Sequence, residues 1–364
     1  MTESSSEGIA ADRARKGRGA VSNRSGRFEP ETRQAVEDEW PGDGEALPPL
    51  RTTLSVDTAR RVITYNKSPD IPFDRSINPY RGCEHGCVYC FARPTHAYYG
   101  LSPGLDFETR LFYKPDAATL LCRELREAGY RPDVIAMGTN TDPYQPVDRE
   151  IGLTRAILEV LREFRHPVSI VTKSTLILRD ADILADMAAQ GMASVCLSVT
   201  TLDRRLARLM EPRAPTPARR LDAIKELNAA GIPTGALVAP IIPALNDVDL
   251  DRVVDAVAAA GATSAGYVLL RLPLEIKDLF EEWLETHYPD RKKHVLSLIR
   301  QTRDGAAYRS AWGTRMTGTG AYAELLKQRF ALARKRNGLV RRSLTLDTSH
   351  FRPPPAPGDQ LSLL

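Results

Sequence analysis

What most restricts the fold of this chain is the alternation of two patterns through its middle. Short β-branched or apolar runs stand at Val134–Met137, Val168–Thr172, Ser194–Val199, Gly235–Ala239 and Tyr267–Leu270. Stretches of helix formers alternate with them at Ala117–Ala128, Thr154–Phe164, Asp180–Gln190, Ala218–Ala230 and Leu250–Ala260. Gly129, Gly191, Gly231 and Gly261 follow four of the helical stretches. Glycine ends helices there because it enters the left-handed conformation cheaply. The runs recur about every 30 residues, the length of a βα unit. This alternation predicts a parallel sheet with crossover helices, wound as an open sheet or as a barrel. Periodicity does not separate those two.

Chemistry concentrates in Cys83-Glu84-His85-Gly86-Cys87-Val88-Tyr89-Cys90, which holds three of the five cysteines. Cys122 and Cys196 stand alone among apolar residues. Thiolates are soft ligands that suit zinc or iron–sulfur centres. Gly82 and Gly86 leave the loop free to curl around one centre. Structural zinc wants a fourth protein ligand, which His85 or His96 would have to supply. An electron-transfer cluster wants a fourth cysteine. A disulfide would leave one thiol over. Three ligands therefore suggest a centre with one open position, and few cysteines gathered for a metal suit a reducing cytosol.

The C-x3-C-x2-C spacing, with Tyr89 before the last cysteine, resembles the signature of the radical S-adenosylmethionine (SAM) superfamily. Asn78-Pro79-Tyr80-Arg81-Gly82-Cys83, Cys90-Phe91-Ala92-Arg93-Pro94 and Thr141-Asp142-Pro143-Tyr144-Gln145-Pro146 resemble its spore photoproduct lyase-like branch. The resemblance covers residues 60–340. It implies an α/β fold, a partial (β/α)6 TIM-type barrel, with the cluster loop after a first strand near Ile77–Tyr80. It also implies a [4Fe-4S] cluster held by Cys83, Cys87 and Cys90, its unique iron open to the amino and carboxylate groups of SAM. The implied activity is reductive cleavage of SAM to a 5′-deoxyadenosyl radical that takes hydrogen from an unidentified substrate. A flavodoxin- or ferredoxin-like protein would donate the electron, and a nucleic-acid substrate stays open. A non-catalytic iron–sulfur scaffold is the alternative of another class, and a zinc module is a third.

A barrel of this kind predicts active residues just past the carboxyl ends of its strands. Gly138, in Gly138-Thr139-Asn140-Thr141-Asp142, would let the backbone approach the amino end of the cofactor. Asn140 and Asp142 would accept from its ammonium, with Thr141 beside them. Lys173 would meet the carboxylate as a point charge. Ser174 and Ser198 match further cofactor contacts of the resembled family, and Arg213 is a candidate for a carboxylate or phosphate. Tyr89 would lie against the adenine face. Polar residues also follow the later strands, ending with Arg271 after Leu270. Spore photoproduct lyase carries a hydrogen-donating cysteine where this chain has Thr139. Tyr98, Tyr99 and Tyr144 are the candidate hydrogen relays.

The ends read differently from the middle. Residues 1–55 are expected to form a largely disordered arm, with a basic cluster at Arg13, Arg15, Lys16 and Arg18 that reads as a solvated tail. Phe28 and Trp40 would pin the arm. The core barrel is expected over 56–272 and a helical extension over 273–340. Pro353, Pro354, Pro355 and Pro357 predict an irregular, disordered tail over 341–364. Lys327, Arg329, Arg334, Lys335, Arg336, Arg341 and Arg342 form a basic run that suits either phosphate contact or a solvated helix face. The net charge of +4 requires no polyelectrolyte partner. No apolar run approaches a membrane span and the N-terminus lacks an h-region, so the expected location is cytoplasmic.

Overall fold

The computed structural model describes residues 14–31, 50–341 and 345–355. Arg13, Trp40, Arg342 and Pro357 lie outside the described residues. Its strands are β1 (Thr53–Val56), β2 (Ile63–Tyr65), β3 (Arg75–Ile77), β4 (Tyr80–Arg81), β5 (Arg110–Tyr113), β6 (Ile135–Met137), β7 (Val168–Thr172), β8 (Ala193–Ser198), β9 (Thr234–Ile241), β10 (Ser264–Leu269) and β11 (Val340–Arg341). The main sheet runs in the order β11-β10-β9-β8-β7-β6-β3-β2. From β3 to β10 every neighbouring pair is parallel. β2 adds antiparallel to β3 at one edge. These six parallel strands, linked by helices, are the partial barrel expected from the resemblance.

The strands form where β-branched and apolar residues run together, and the connecting helices where apolar positions recur at helical spacing. Helix Leu153–Glu163 buries Leu153, Ile157, Leu158 and Leu161. Helix Leu250–Ala259 buries Leu250, Val253, Val254 and Val257. These meet Ile135, Met137, Ile170, Val195, Leu197 and Val238 from the strands in one core. Each fully buried aliphatic side chain contributes about 1.5–3 kcal/mol. The stretch expected as helix over Ala117–Ala128 is helical only over Ala117–Leu125, and Arg126 leaves it in a turn.

A second sheet, β1-β5-β4, was not legible in the alternation. It grips the cysteine loop at both ends. β4 leads directly into Cys83, and the turn Asp106–Thr109 leads into β5. Part of the N-terminal arm closes over the same region. Arg18, Ala20, Val21 and Ser22 are buried rather than solvated, and Glu108 anchors this stretch by accepting from Gly19 N, Ala20 N and, at its carbonyl, Arg18 Nη1.

The helical extension comprises Ile276–His287, Pro289–Gln301 and Gly320–Arg336. Phe280, Trp283, Leu284, Val295 and Ile299 share one apolar cluster with Cys87, Val88 and Tyr89. The extension thus packs beneath the cysteine loop. Three of the seven residues in the basic run meet carboxylates, two of them from a distant helix. Arg329 lies 2.6 Å from Asp251, Arg336 2.6 Å from Asp255 and Lys327 3.2 Å from Glu324. This supports a paired surface helix over a phosphate-binding one.

Residues 345–355 carry no regular structure, as their prolines dictate, yet they pack on the barrel floor. Asp347 N donates to Gly191 O and Arg352 N to Phe164 O, both at 3.0 Å. The Phe351 ring lies 5.5 Å from the rings of Tyr130 and His166. His166 Nε2 is 2.7 Å from Tyr130 Oη and Nδ1 is 3.1 Å from Pro167 O. Nδ1–H donating to the carbonyl and Nε2 accepting from the phenol makes this a neutral imidazole. Burial lowers its pKa to about 4. The unfolded chain therefore binds a proton between pH 6.5 and 4 that the folded chain does not, so stability falls as pH drops through that window. Urea midpoints at pH 7 and pH 5 should show wild type losing on the order of 2 kcal/mol more than His166→Gln on acidification. Equal losses would sink the assignment.

Candidate functional site

Cys83, Cys87 and Cys90 sit in the loop that follows β3 and β4, at the carboxyl side of the parallel sheet. The loop is pinned from several directions. Cys83 N donates to Phe107 O at 2.9 Å and Val88 N to Met210 O at 3.1 Å. Gln145 accepts from Glu84 N at 2.9 Å and donates to Gly82 O at 3.4 Å. The guanidinium of Arg93, with no exposed surface, donates to Cys87 O, Gly86 O, Pro103 O and Gly104 O. It also pairs with Glu108, whose two oxygens accept from Gly19 N at 3.0 Å and Ala20 N at 2.8 Å. Gly19 lies so close that a Cβ there would stand 1.8 Å from Gly86 O.

The three thiols share one electrostatic neighbourhood. Burial pushes Cys83 well above the ordinary thiol range, and Asp142, Cys87 and Cys90 push it further. Burial pushes Cys87 up to about 12, with Lys173 and Arg220 pulling down against Glu211 and Cys90. Such thiols ionise only when a cationic centre binds them. The donor set therefore fits a centre that brings its own positive charge. Each candidate fourth ligand has one engaged ring nitrogen, and His96 Nδ1 is buried without a hydrogen-bond partner among the described residues. His85 Nδ1 lies 3.3 Å from Asp142 Oδ2, and His96 Nε2 lies 2.9 Å from Arg110 O. Among the described residues no group of three or more His, Cys, Asp and Glu side chains converges on a single metal ion. Three thiols on one loop suit a cluster that leaves one iron open.

The segment after β6 carries the expected residues, but with altered duties. Gly138 has φ +84°, and a Cβ on it would stand 1.8 Å from Val171 O, so only glycine lets β6 and β7 end this close together. Asn78 Oδ1 accepts from Asn140 N at 3.0 Å, and Thr139 Oγ1 is 3.2 Å from Asn78 Nδ2. Thr141 Oγ1 donates to Tyr80 O at 3.2 Å. Asp142, expected to accept from the cofactor ammonium, accepts hydrogen bonds from the chain itself. Its oxygens accept from Tyr144 N, Thr172 Oγ1 and Lys173 N at 3.0, 2.6 and 2.9 Å. Burial alone would raise its carboxyl, but His85 and these donors outweigh burial and hold it at about 2. Asp142 thus ties the cysteine loop to the end of β7.

Lys173 stands just past the end of β7. Its Nζ lies 5.7 Å from the centre of the Tyr89 ring, with no carboxylate at ion-pair distance among the described residues. Burial opposes its charge, but Cys87 and Glu211 outweigh burial and raise its pKa. Ser174 Oγ accepts from Leu176 N at 3.2 Å and so caps the next turn. Ser198 is buried at the end of β8, and its carbonyl accepts from Arg220. Arg213 pairs at 3.0 Å with Glu84, beside Cys83. Tyr89 donates its hydroxyl to Glu211, which also binds Thr200 Oγ1 and the Arg220 guanidinium. Burial alone would raise Glu211, but Arg220 and Lys173 hold it at about 2.

The candidate tyrosine relays make their contacts elsewhere. Tyr98 is 71% exposed and packs on Phe28. Tyr99 packs on Phe112 and under Arg81. Tyr144 is sealed in the main core. Glu108, Glu211, Arg220 and Gln145 carry structural duties at the site that the sequence reading did not assign. Arg220 had a signal: it shares a face with Ala223, Ile224 and Leu227 on helix Pro217–Ala229, and a charge on an apolar face needs a buried partner.

Comparison with known proteins agrees with this geometry. A family model described as the radical SAM superfamily matches residues 77–257. An uncharacterized protein of Mycobacterium tuberculosis is 39% identical over 241 residues, covering 65% of this chain and 71% of the relative. One of Methanocaldococcus jannaschii is 29% identical over 232 residues, covering 64% and 82%. The fold matches spore photoproduct lyase complexed with dinucleoside spore photoproduct at TM-score 0.54 and 17% identity, over 79% of this chain and 80% of that one. A variant with bound AdoMet and the same ligand matches at TM-score 0.55.

Proposed function

Because the chain belongs to the radical SAM superfamily, we propose that it is an iron–sulfur enzyme that cleaves SAM reductively. The observation that carries this reading is the buried three-cysteine loop whose Tyr89 meets Lys173 and Glu211. A bound [4Fe-4S] cluster would supply one electron and an open iron for cleaving SAM to methionine and a 5′-deoxyadenosyl radical. The chain's own residues do the holding. Cys83, Cys87 and Cys90 supply three thiolates. Lys173, half-buried, would offer its ammonium to the cofactor carboxylate, and Glu211 fixes the Tyr89 ring that would receive the adenine. The end of β6 is kept free of side chain at Gly138, so backbone carbonyls there serve as acceptors for an ammonium. The apolar packing of the helical extension under the loop excludes water, which strengthens each charge contact.

A flavodoxin- or ferredoxin-like donor in a reducing, cytoplasmic compartment suits this chemistry. The substrate differs from a simple transfer of the lyase reaction. Thr139 stands where that enzyme has a hydrogen-donating cysteine, and its hydroxyl is engaged by Asn78. Cys122 and Cys196 lie in a helix and in β8, apart from the loop in sequence. Nucleic acid remains the reading that lineage alone suggests.

The test is anaerobic reconstitution with iron and sulfide, then reductant and SAM. The wild type should turn brown, and should form 5′-deoxyadenosine and methionine in equal amounts. Cys83→Ala, Cys87→Ala and Cys90→Ala should form none. A protein that holds its full iron complement, binds SAM and still yields no 5′-deoxyadenosine would overturn the proposal.

A further inference from the structure

Two arginines stand beyond the end of β10 without an acidic partner. Arg271 follows Leu270, which belongs to the apolar cluster of Cys87, Val88 and Tyr89. Its guanidinium lies 5.0 Å over the ring of Phe91, the residue after Cys90. Its Nη1 lies 3.6 Å from the Met316 thioether, and its Nε is buried with no hydrogen-bond partner among the described residues. Arg303, only 2% exposed, donates Nη2 to Leu270 O at 2.8 Å and Nη1 to Thr314 O at 3.1 Å, and its Nε is also buried and unpartnered. Among the described residues neither has a carboxylate at ion-pair distance. The nearby Arg315, by contrast, is paired with Asp70 at 2.5 Å.

That arrangement is costly unless something anionic visits it. Arginine cannot shed its proton inside a protein. A buried charge without a counter-ion costs several kcal/mol. Burial lowers the pKa of Arg303; Tyr308 works against this, and the like charge of Arg271 adds to it, so the two arginines repel. A single oxyanion would relieve both desolvation and repulsion. Guanidinium forks match phosphate and carboxylate oxygens in pairs. The half-exposed Phe91 beneath Arg271 keeps one face open beside the cysteine loop. β10 is separated from β7 by β8 and β9, so this position is distinct from that of Lys173.

We propose that Arg271, backed by Arg303, anchors the substrate, and that the substrate carries an oxyanion, a phosphate or a carboxylate, next to the carbon that loses hydrogen. This rests on the radical SAM reading above. It assigns the anionic end of the substrate to the β10 rim and the cofactor carboxylate to the β7 rim.

The test uses the full-length, iron-loaded protein under argon, saturated with SAM, at ionic strength held constant with sodium chloride. Inorganic phosphate and acetate are titrated separately while the thermal unfolding midpoint is read. A ligand of the folded state raises that midpoint by mass action. Wild type should show a saturable rise with at least one anion. Arg271→Gln should weaken the apparent affinity by about tenfold, as expected for losing one charged bidentate contact, and Arg271→Lys should recover part of it. Response to phosphate alone assigns a phosphate ester, and response to acetate alone a carboxylate. Identical curves for wild type and Arg271→Gln would overturn the anchor. So would an anion effect that vanishes once SAM is present, since Arg271 would then serve the cofactor. Iron content and SAM binding are read on the same samples. Their loss with an intact Arg271-dependent response would sink the radical SAM reading and leave the anion site standing.

Discussion

Glu108→Gln should destabilise the folded chain by about 3–5 kcal/mol, the usual effect of breaking a buried ion pair by removing one partner. Glu108 and Arg93 have no exposed surface. The amide keeps one acceptor but loses the charge opposite Arg93. It also turns an N–H donor toward Gly19 N or Ala20 N, which now bond the carboxylate at 3.0 and 2.8 Å. Arg93 is the residue that gathers the Gly86 and Cys87 carbonyls, so its release should loosen the loop between two cysteines. The readouts are the urea midpoint and the iron retained after desalting in air. Both should fall. Removing residues 1–22 exposes the same carboxylate to water but leaves Arg93 paired, so it should cost less stability while still hastening iron loss. Wild-type iron retention in both variants would show that the clasp does not serve the cysteine loop.

The sequence disclosed what is local and periodic. The five β-branched runs each became a parallel strand, because strand and helix periods differ and glycine marks the helix ends. Cys83, Cys87 and Cys90 declared themselves by spacing alone. What stayed hidden is long-range pairing between charges. Glu108 meets Arg93 and Gly19 through a sheet of very short strands, with no period to betray them. Glu211 drew no notice because its neighbour Arg213 looked like the functional charge, yet Arg213 is 36% exposed and bound to Glu84 while Glu211 is buried. Asp142 was legible as a site residue, but its partners within the chain were not. Sequence shows that a carboxylate follows β6, not that four groups of the chain already occupy it. The attachment of parts of the ends was hidden for a related reason. Composition reported few apolar residues in 14–31 and 345–355, whereas their attachment comes from backbone donors and single rings such as Phe351.

Glu211→Gln should cost a similar 3–5 kcal/mol and should also weaken SAM binding, and the two effects can be separated. Glu211 is the meeting point of the Tyr89 hydroxyl, Thr200 and Arg220, whose other donors are already fixed on Pro215 O and Ser198 O. Without the carboxylate, Arg220 stays charged and buried with nothing opposite, and Tyr89 loses the charged acceptor that sets its ring. Glu211→Met combined with Arg220→Met removes both charges at once. Replacing a buried ion pair with apolar groups of similar volume is often close to neutral. The double variant should therefore regain most of the lost stability. It does not restore a partner for Tyr89, so the Kd for SAM, measured anaerobically by equilibrium dialysis, should stay about tenfold weaker than wild type. If affinity returned together with stability, Glu211 would be only half of a structural pair. If affinity stayed low in a stable protein, the carboxylate would be the group that orients Tyr89 for the cofactor.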